Sequence, residues 1–237
     1  MKLEDQVIII TGAAGNLGQA LVKRLEGSGA HLALFDYRQG RLSKTYPQLE
    51  TGDRNIFVDE IDLTNEVSVR RGVDQVLDHF GRVDVLINAA GGYNGGTSLD
   101  ETSIEIWDSM ININARSVFL VSRAVLPGMR DQGSGVIVNV GARAGVKGRK
   151  NSAAYSASKS AVLRLTESIA AEVKRDGVRV NAVIPGTIDT PENREAMPNA
   201  NYNRWVKASA VADLILFLAS DRANGVSGAS VPVYGSS

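Results

Sequence analysis

The chain predicts a single α/β domain over residues 1–237, built as a doubly wound parallel sheet of about seven strands with helices on both faces. Three observations lead there. Short β-branched, apolar runs recur seven times: QVIIITG, HLALFDY, NIFVDEIDL, VDVLINAAG, GVIVNVG, VRVNAVIPG and ASVPVYG. Most are nearly continuous rather than alternating, the pattern of strands covered on both faces. Helical patterns fill the gaps at 16–27, 65–80, 104–129, 152–176 and 210–220, with no repeat, linker or composition break.

Composition narrows the function classes. At 43% hydrophobic the chain can bury a substantial core, and its 26 basic and 26 acidic residues cancel without a run of like charge. Such a surface suits neither nucleic acid nor an anionic membrane. There is no cysteine, so thiol chemistry and disulfides are excluded. The start, MKLEDQVIII, is too brief an apolar run for a signal peptide. No segment approaches the ~18 apolar residues of a membrane span. A soluble cytoplasmic protein acting on a small molecule is expected.

The first strand runs into TGAAGNLG, which opens the first helix. Gly12, Gly15 and Gly18 permit a tight turn and close approach to a pyrophosphate, and the helix start through Asn16 and Leu17 offers amides and a positive dipole end. The second strand ends at Asp36, eighteen residues after Gly18. A carboxylate there accepts both ribose hydroxyls of NAD and repels the extra phosphate of NADP, so NAD(H) is favoured over NADP(H), although Arg38 and Arg41 lie nearby. The segment 185–205, rich in Asn and Pro, is the least regular; its stretch 186–205 is read as a substrate lid.

In AAYSASKSA, Tyr155 and Lys159 stand four apart on a helix and share a face. A phenol titrates near pH ~10, too high for ready proton exchange at neutrality. An adjacent ammonium, helped by the nicotinamide's positive charge when oxidised, is expected to lower that value, so that the phenol gives a proton as hydride arrives. His31 and His79 have no second ligand at metal spacing, so no metal is expected. Trp107 reads as core.

Together TGAAGNLG, Asp62-Leu63-Thr, NAAG, Asn114, YSASK and PGT, in that order across the whole chain, resemble the short-chain dehydrogenase/reductase family. The resemblance implies a Rossmann-type sheet and an NAD(P)-linked enzyme. It places Asp62 and Leu63 at the adenine, and Asn88, Ala89, Ala90 and Gly91 along the cofactor. Tyr155 would be the acid/base, Lys159 would bind the nicotinamide ribose, and Asn114 would support a water chain to Lys159. Ile188 would meet the carboxamide just beyond Pro185 and Gly186. It also implies a homodimer or homotetramer built through the helices at 104–129 and 152–176.

Three departures stand out. The glycines are spaced GxxGxxG, NNAG reads NAAG, and the family's serine, thirteen residues before Tyr155, is Ala142. Losing one such donor costs on the order of 2.7–4 kcal/mol where chemistry depends on it. The serine-free GAR and the run GTIDTPENREAMPNANYNRW resemble the dihydropteridine reductase group, which implies NADH and an electrophilic quinonoid imine that needs little carbonyl polarisation. Tyr202 and Trp205 are candidates to cover a flat ring, with a core anchor the alternative for Trp205. Arg143, within the basic cluster Arg143, Lys147, Arg149 and Lys150, is a candidate for an anionic group or for the missing donor. Two other readings stay open: a serine-independent ketone or alcohol oxidoreductase, and a non-catalytic NAD-binding sensor.

Overall fold

Each of the seven apolar runs supplies one strand of a single parallel sheet in the computed structural model, which describes residues 3–49 and 51–236. In chain order these are β1 (Val7–Thr11), β2 (His31–Phe35), β3 (Asn55–Val58), β4 (Val85–Asn88), β5 (Gly135–Val140), β6 (Val178–Pro185) and, last, β9 (Ser230–Val233). Their spatial order is β3-β2-β1-β4-β5-β6-β9. The chain therefore starts in the middle and winds outward twice, leaving a crevice at the carboxyl ends of β1 and β4.

The near-continuous apolar strands are explained by their two covers. Ile8 and Ile10 of β1 face one core with α1 (Asn16–Leu25) and α9 (Ala208–Ala219), whereas Val7 and Ile9 face the other with α3 (Glu66–Phe80), α5 (Ser117–Gln132) and α7 (Ala153–Glu172). Successive side chains of a strand point to opposite faces, so both must be apolar. Short helices α2 (Arg41–Thr45), α4 (Ile104–Met110), α6 (Arg143–Val146) and α8 (Pro191–Ala196) complete the set, with a two-stranded ribbon of β7 (Ile188–Asp189) and β8 (Val206–Lys207).

Three expectations change. The third run keeps its strand only to Val58, because Glu60 takes a left-handed φ of 58°. The helix expected at 104–129 is α4, a π-helical turn at Ile111–Arg116, and α5. The segment 185–205 is not the least regular: it carries β7, α8 and a short helical turn at Tyr202–Arg204, tied by Tyr202 Oη donating to Pro198 O at 2.9 Å. The stretch 89–103 has neither helix nor strand, and its four glycines at GGYNGG account for that. Among the described residues no helix is long and apolar enough to cross a membrane.

Candidate active site

Residues Thr11, Asn88 and Asn139 lie side by side in register at the carboxyl ends of β1, β4 and β5. Their polar groups are spent below the crevice. Asn88 Nδ2 donates to Asn139 Oδ1 at 2.9 Å, Asn139 Nδ2 donates to Thr166 Oγ1 at 2.9 Å, and Thr11 Oγ1 accepts the Ala90 amide at 3.1 Å. This buried network sets the height of the loop that begins with Ala89, Ala90 and Gly91.

The glycine turn lies against that loop. Gly12 has φ 63°, and a Cβ there would sit 2.8 Å from Ala90 Cα. Gly18 packs so closely that a Cβ would lie 2.3 Å from Ala13 O. Gly15 caps α1 without a side chain, no acid lies in its first turn, and Lys23 and Arg24 close the last. That helix start, through Asn16 and Leu17, is built for an anion. Asp36 is buried at the end of β2, accepts the Arg38 amide at 3.1 Å, and has Arg41 Nη1 3.5 Å away. Asp62 accepts both the amide and the hydroxyl of Thr64, at 2.9 and 2.7 Å, which fixes the turn that buries Leu63. Pro185 ends β6, Gly186 donates to Val233 O at 3.1 Å, and Ile188 starts β7 beside the same crevice end. A glycine cradle, a helix start and a buried carboxylate at the neighbouring strand end form a donor set that fits a dinucleotide.

The chemical groups converge next to it. Asn114 is fully buried in the π turn; its Nδ2 donates to Gly92 O at 3.0 Å and Ser158 Oγ at 3.1 Å, and its Oδ1 accepts the Gly92 amide at 3.1 Å. Inserting an extra residue per turn is what lets a side chain leave the helical surface here. Lys159 donates to Val140 O at 2.9 Å, and a Cβ on Gly91 would lie 2.9 Å from Asn114 Oδ1 and 3.2 Å from Lys159 Nζ. Glycine at 91 is thus a steric requirement for bringing both groups together.

Burial pushes the Lys159 ammonium down to about 8. It pushes the Tyr155 phenol up to about 12, helped by Tyr93 and opposed by Arg149. In the protein by itself, the lysine does not acidify the phenol. Loss of water from the phenolate outweighs what the protein's own cations return, and the lysine points its charge at a carbonyl.

Ala142 is buried on the extended segment after β5, so a methyl group stands where a hydroxyl was expected. Arg143 is exposed and lies over the Tyr234 ring at 5.0 Å. The Arg194 guanidinium lies over the Tyr202 ring, 4.7 Å from its centroid, and Tyr202 meets Trp205 at a tilt of 57° with centroids 4.8 Å apart, so these two aromatics pair with each other. Sequence reasoning missed Tyr93, whose ring meets Tyr155 edge-on at 4.9 Å and 83°, and Ser152, whose Oγ lies 3.2 Å from Tyr93 Oη. It also missed Glu192 of α8, which accepts from Asn16 Nδ2 at 2.7 Å. The GGYNGG signature marked the first of these; nothing local marked the others.

Residues 6–201 match the short chain dehydrogenase family. The chain belongs to the short-chain dehydrogenase/reductase family. Among curated relatives, dehydrogenase/reductase SDR family member 6 of Rattus norvegicus is 34% identical over 251 residues, covering 99% of this chain and 98% of that protein. Levodione reductase of Leifsonia aquatica is 32% identical over 252 residues, covering 99% and 94%. A crystal structure of levodione reductase superposes with a TM-score of 0.88 at 33% identity, covering 98% of this chain and 97% of that one. The structure of ElxO with NADP bound gives 0.90 at 25% identity, covering 98% of each. As a short-chain dehydrogenase/reductase the protein is an NAD(P)-dependent oxidoreductase, which sets aside the sensor reading.

Proposed function

We propose that this short-chain dehydrogenase/reductase uses NADH to reduce a small conjugated imine or quinonoid ring, of which a dihydropterin is the example, with Tyr155 as proton donor. The observation that carries the reading is Ala142. Tyr155, Lys159 and Asn114 are all present and converge, yet the carbonyl-polarising hydroxyl is replaced by a buried methyl group. An already electrophilic ring tolerates that loss; an ordinary ketone does not.

The dinucleotide, when bound, would supply hydride to the electrophilic conjugated system. The protein does the rest. Gly12 through Gly18 and the start of α1 hold the pyrophosphate, Asp36 the ribose, and Asp62 the turn at the adenine. Lys159 and Asn114 fix the polar floor beside Gly91. The Tyr155 O–H bond breaks as its proton passes to the ring nitrogen, leaving phenolate; solvent returns the proton. Burial disfavours that phenolate, and the positive charge of the oxidised nicotinamide, when bound, would offset it.

NADH is preferred because the Asp36 carboxylate is buried beside the ribose position and would repel a phosphate. The segment 186–205 serves as the lid, and the enzyme works as a homodimer or homotetramer. A second reading, a serine-independent ketone or alcohol oxidoreductase, is favoured by the dione named for the levodione relative. Following NADH absorbance separates the two. Turnover of quinonoid dihydropterin, lost in Tyr155→Phe, supports the first; turnover of diones or alcohols without pterin activity supports the second.

A further inference from the structure

Ser152 occupies the N-cap position of α7, where a serine hydroxyl ordinarily accepts an amide of the first turn. It makes no such bond. Its Oγ pairs with Tyr93 Oη at 3.2 Å, and Ser152 itself is only 7% exposed. The hydroxyl forgoes the cap and is engaged across the loop instead. Tyr93 is 62% exposed, and its ring edge abuts Tyr155. Ser152 and Tyr155 lie three apart at the start of one helix and share a side.

The loop is fixed to this spot by more than that pair. The Gly96 amide donates to Asn151 O at 2.7 Å, and Asn151 Nδ2 donates back to Gly96 O at 3.4 Å. Asn151 takes a left-handed φ of 57° to turn both groups toward the loop. Gly95 leaves room for the hydroxyl: a Cβ there would lie 2.7 Å from Tyr93 Oη. A glycine-rich loop is thus pinned at both sides of one tyrosine.

A pair of hydroxyls holds two protons, and the bond between them uses one. Neither oxygen donates to any other group among the described residues. With Ser152 as the donor, the proton left over is that of Tyr93, the exposed member of the pair. We propose that Tyr93 and Ser152 are the substrate-anchoring pair of this enzyme. Ser152, buried, donates to Tyr93 and orients it; Tyr93 donates its own proton to an oxygen or nitrogen acceptor of the substrate while its ring walls the space over Tyr155. The substrate class is a small planar molecule with a second acceptor beside its reducible bond. The pair supplies from the opposite loop an orienting hydrogen bond that Ala142 does not. This rests on the reductase reading above and specifies its substrate.

The test measures steady-state kinetics with NADH on two probes, quinonoid dihydropterin and 1,2-cyclohexanedione, together with NADH binding by fluorescence. In Tyr93→Phe, KM for the probe that wild type consumes rises on the order of tenfold, kcat stays within about threefold, and NADH affinity is unchanged. Ser152→Ala moves KM the same way and Ser152→Thr restores it. An active wild type whose KM is unaltered in Tyr93→Phe overturns the anchoring pair and leaves the reductase reading standing. Turnover of the dione alone, with the KM effect, keeps the pair and overturns the imine reading. A wild type that consumes neither probe overturns both.

Discussion

Lys159 buries an ammonium against the Val140 carbonyl, and its pKa falls to about 8 from an ordinary 10.5. Between those values the unfolded chain binds the proton and the folded one does not, so stability rises with pH across that window and gains nothing below it. Tyr155 acts the other way. Its pKa rises to about 12 from 10.0, so folded protein keeps the proton longer and stability falls as pH climbs past 10. Lys159→Met should therefore be at least as stable as wild type at pH 7 and should lose the gain between pH 8 and 10.5; urea titrations at the three pH values check it. The same variant should be inactive. Tyr155→Phe should lower kcat by roughly 10²–10⁴ while leaving NADH affinity intact, read by stopped-flow absorbance and fluorescence titration. At the ribose position, Asp36→Ser should weaken NADH roughly tenfold and improve NADPH, because Arg41 is already 3.5 Å away and loses its carboxylate partner. The ratio of kcat/KM for the two dinucleotides is the measurement. These residues were legible from spacing. The direction of the phenol's shift was not, since burial depends on what packs around Tyr155.

The π turn at Ile111–Arg116 and the loop 89–103 fold as one device. Asn114 leaves its helix to grip Gly92 through both backbone groups, and Gly91 makes space for it. Periodicity read this region as one uninterrupted helix, because one extra residue in a turn barely disturbs an apolar pattern. The glycines of GGYNGG carried a signal for the loop that the sequence reading passed over, and its partner at Asn151 and Ser152 lies some sixty residues on, where no local rule connects them. Gly12→Ala should abolish dinucleotide binding without unfolding the sheet: φ there is left-handed and the new methyl would strike Ala90 Cα. Isothermal titration with NADH, alongside circular dichroism, would show it. The strands were the most legible elements, since each must satisfy two apolar covers at once and little else in a sequence looks like that.

Across the molecule, the parallel sheet and its two covers were legible in the near-continuous apolar runs, whereas the strand order and the polar spine beneath the site were not. Asn88, Asn139 and Thr166 are each buried and each satisfied by the next. Thr166→Val strands the Asn139 amide and should cost about 1–3 kcal/mol in chemical denaturation. Assembly is the other property of this level. Phe119 and Trp107, on α5 and α4, remain 45% and 42% exposed beside charged neighbours, so Trp107 is not the core residue its helical pattern suggested, and a dimer or tetramer through that face would cover them. Sedimentation should find more than one protomer per particle, and Phe119→Glu should lower the mass.

Asn16 and Glu192 lie 176 residues apart, yet they join the glycine turn to the helix α8 by one 2.7 Å bond. On the lid reading proposed above, a dinucleotide seated on that turn would lie under this strap, and departure of the spent nucleotide would wait for it to loosen. Cutting it with Glu192→Ala should hasten release by roughly two- to tenfold, and turnover with it wherever release is the slow step.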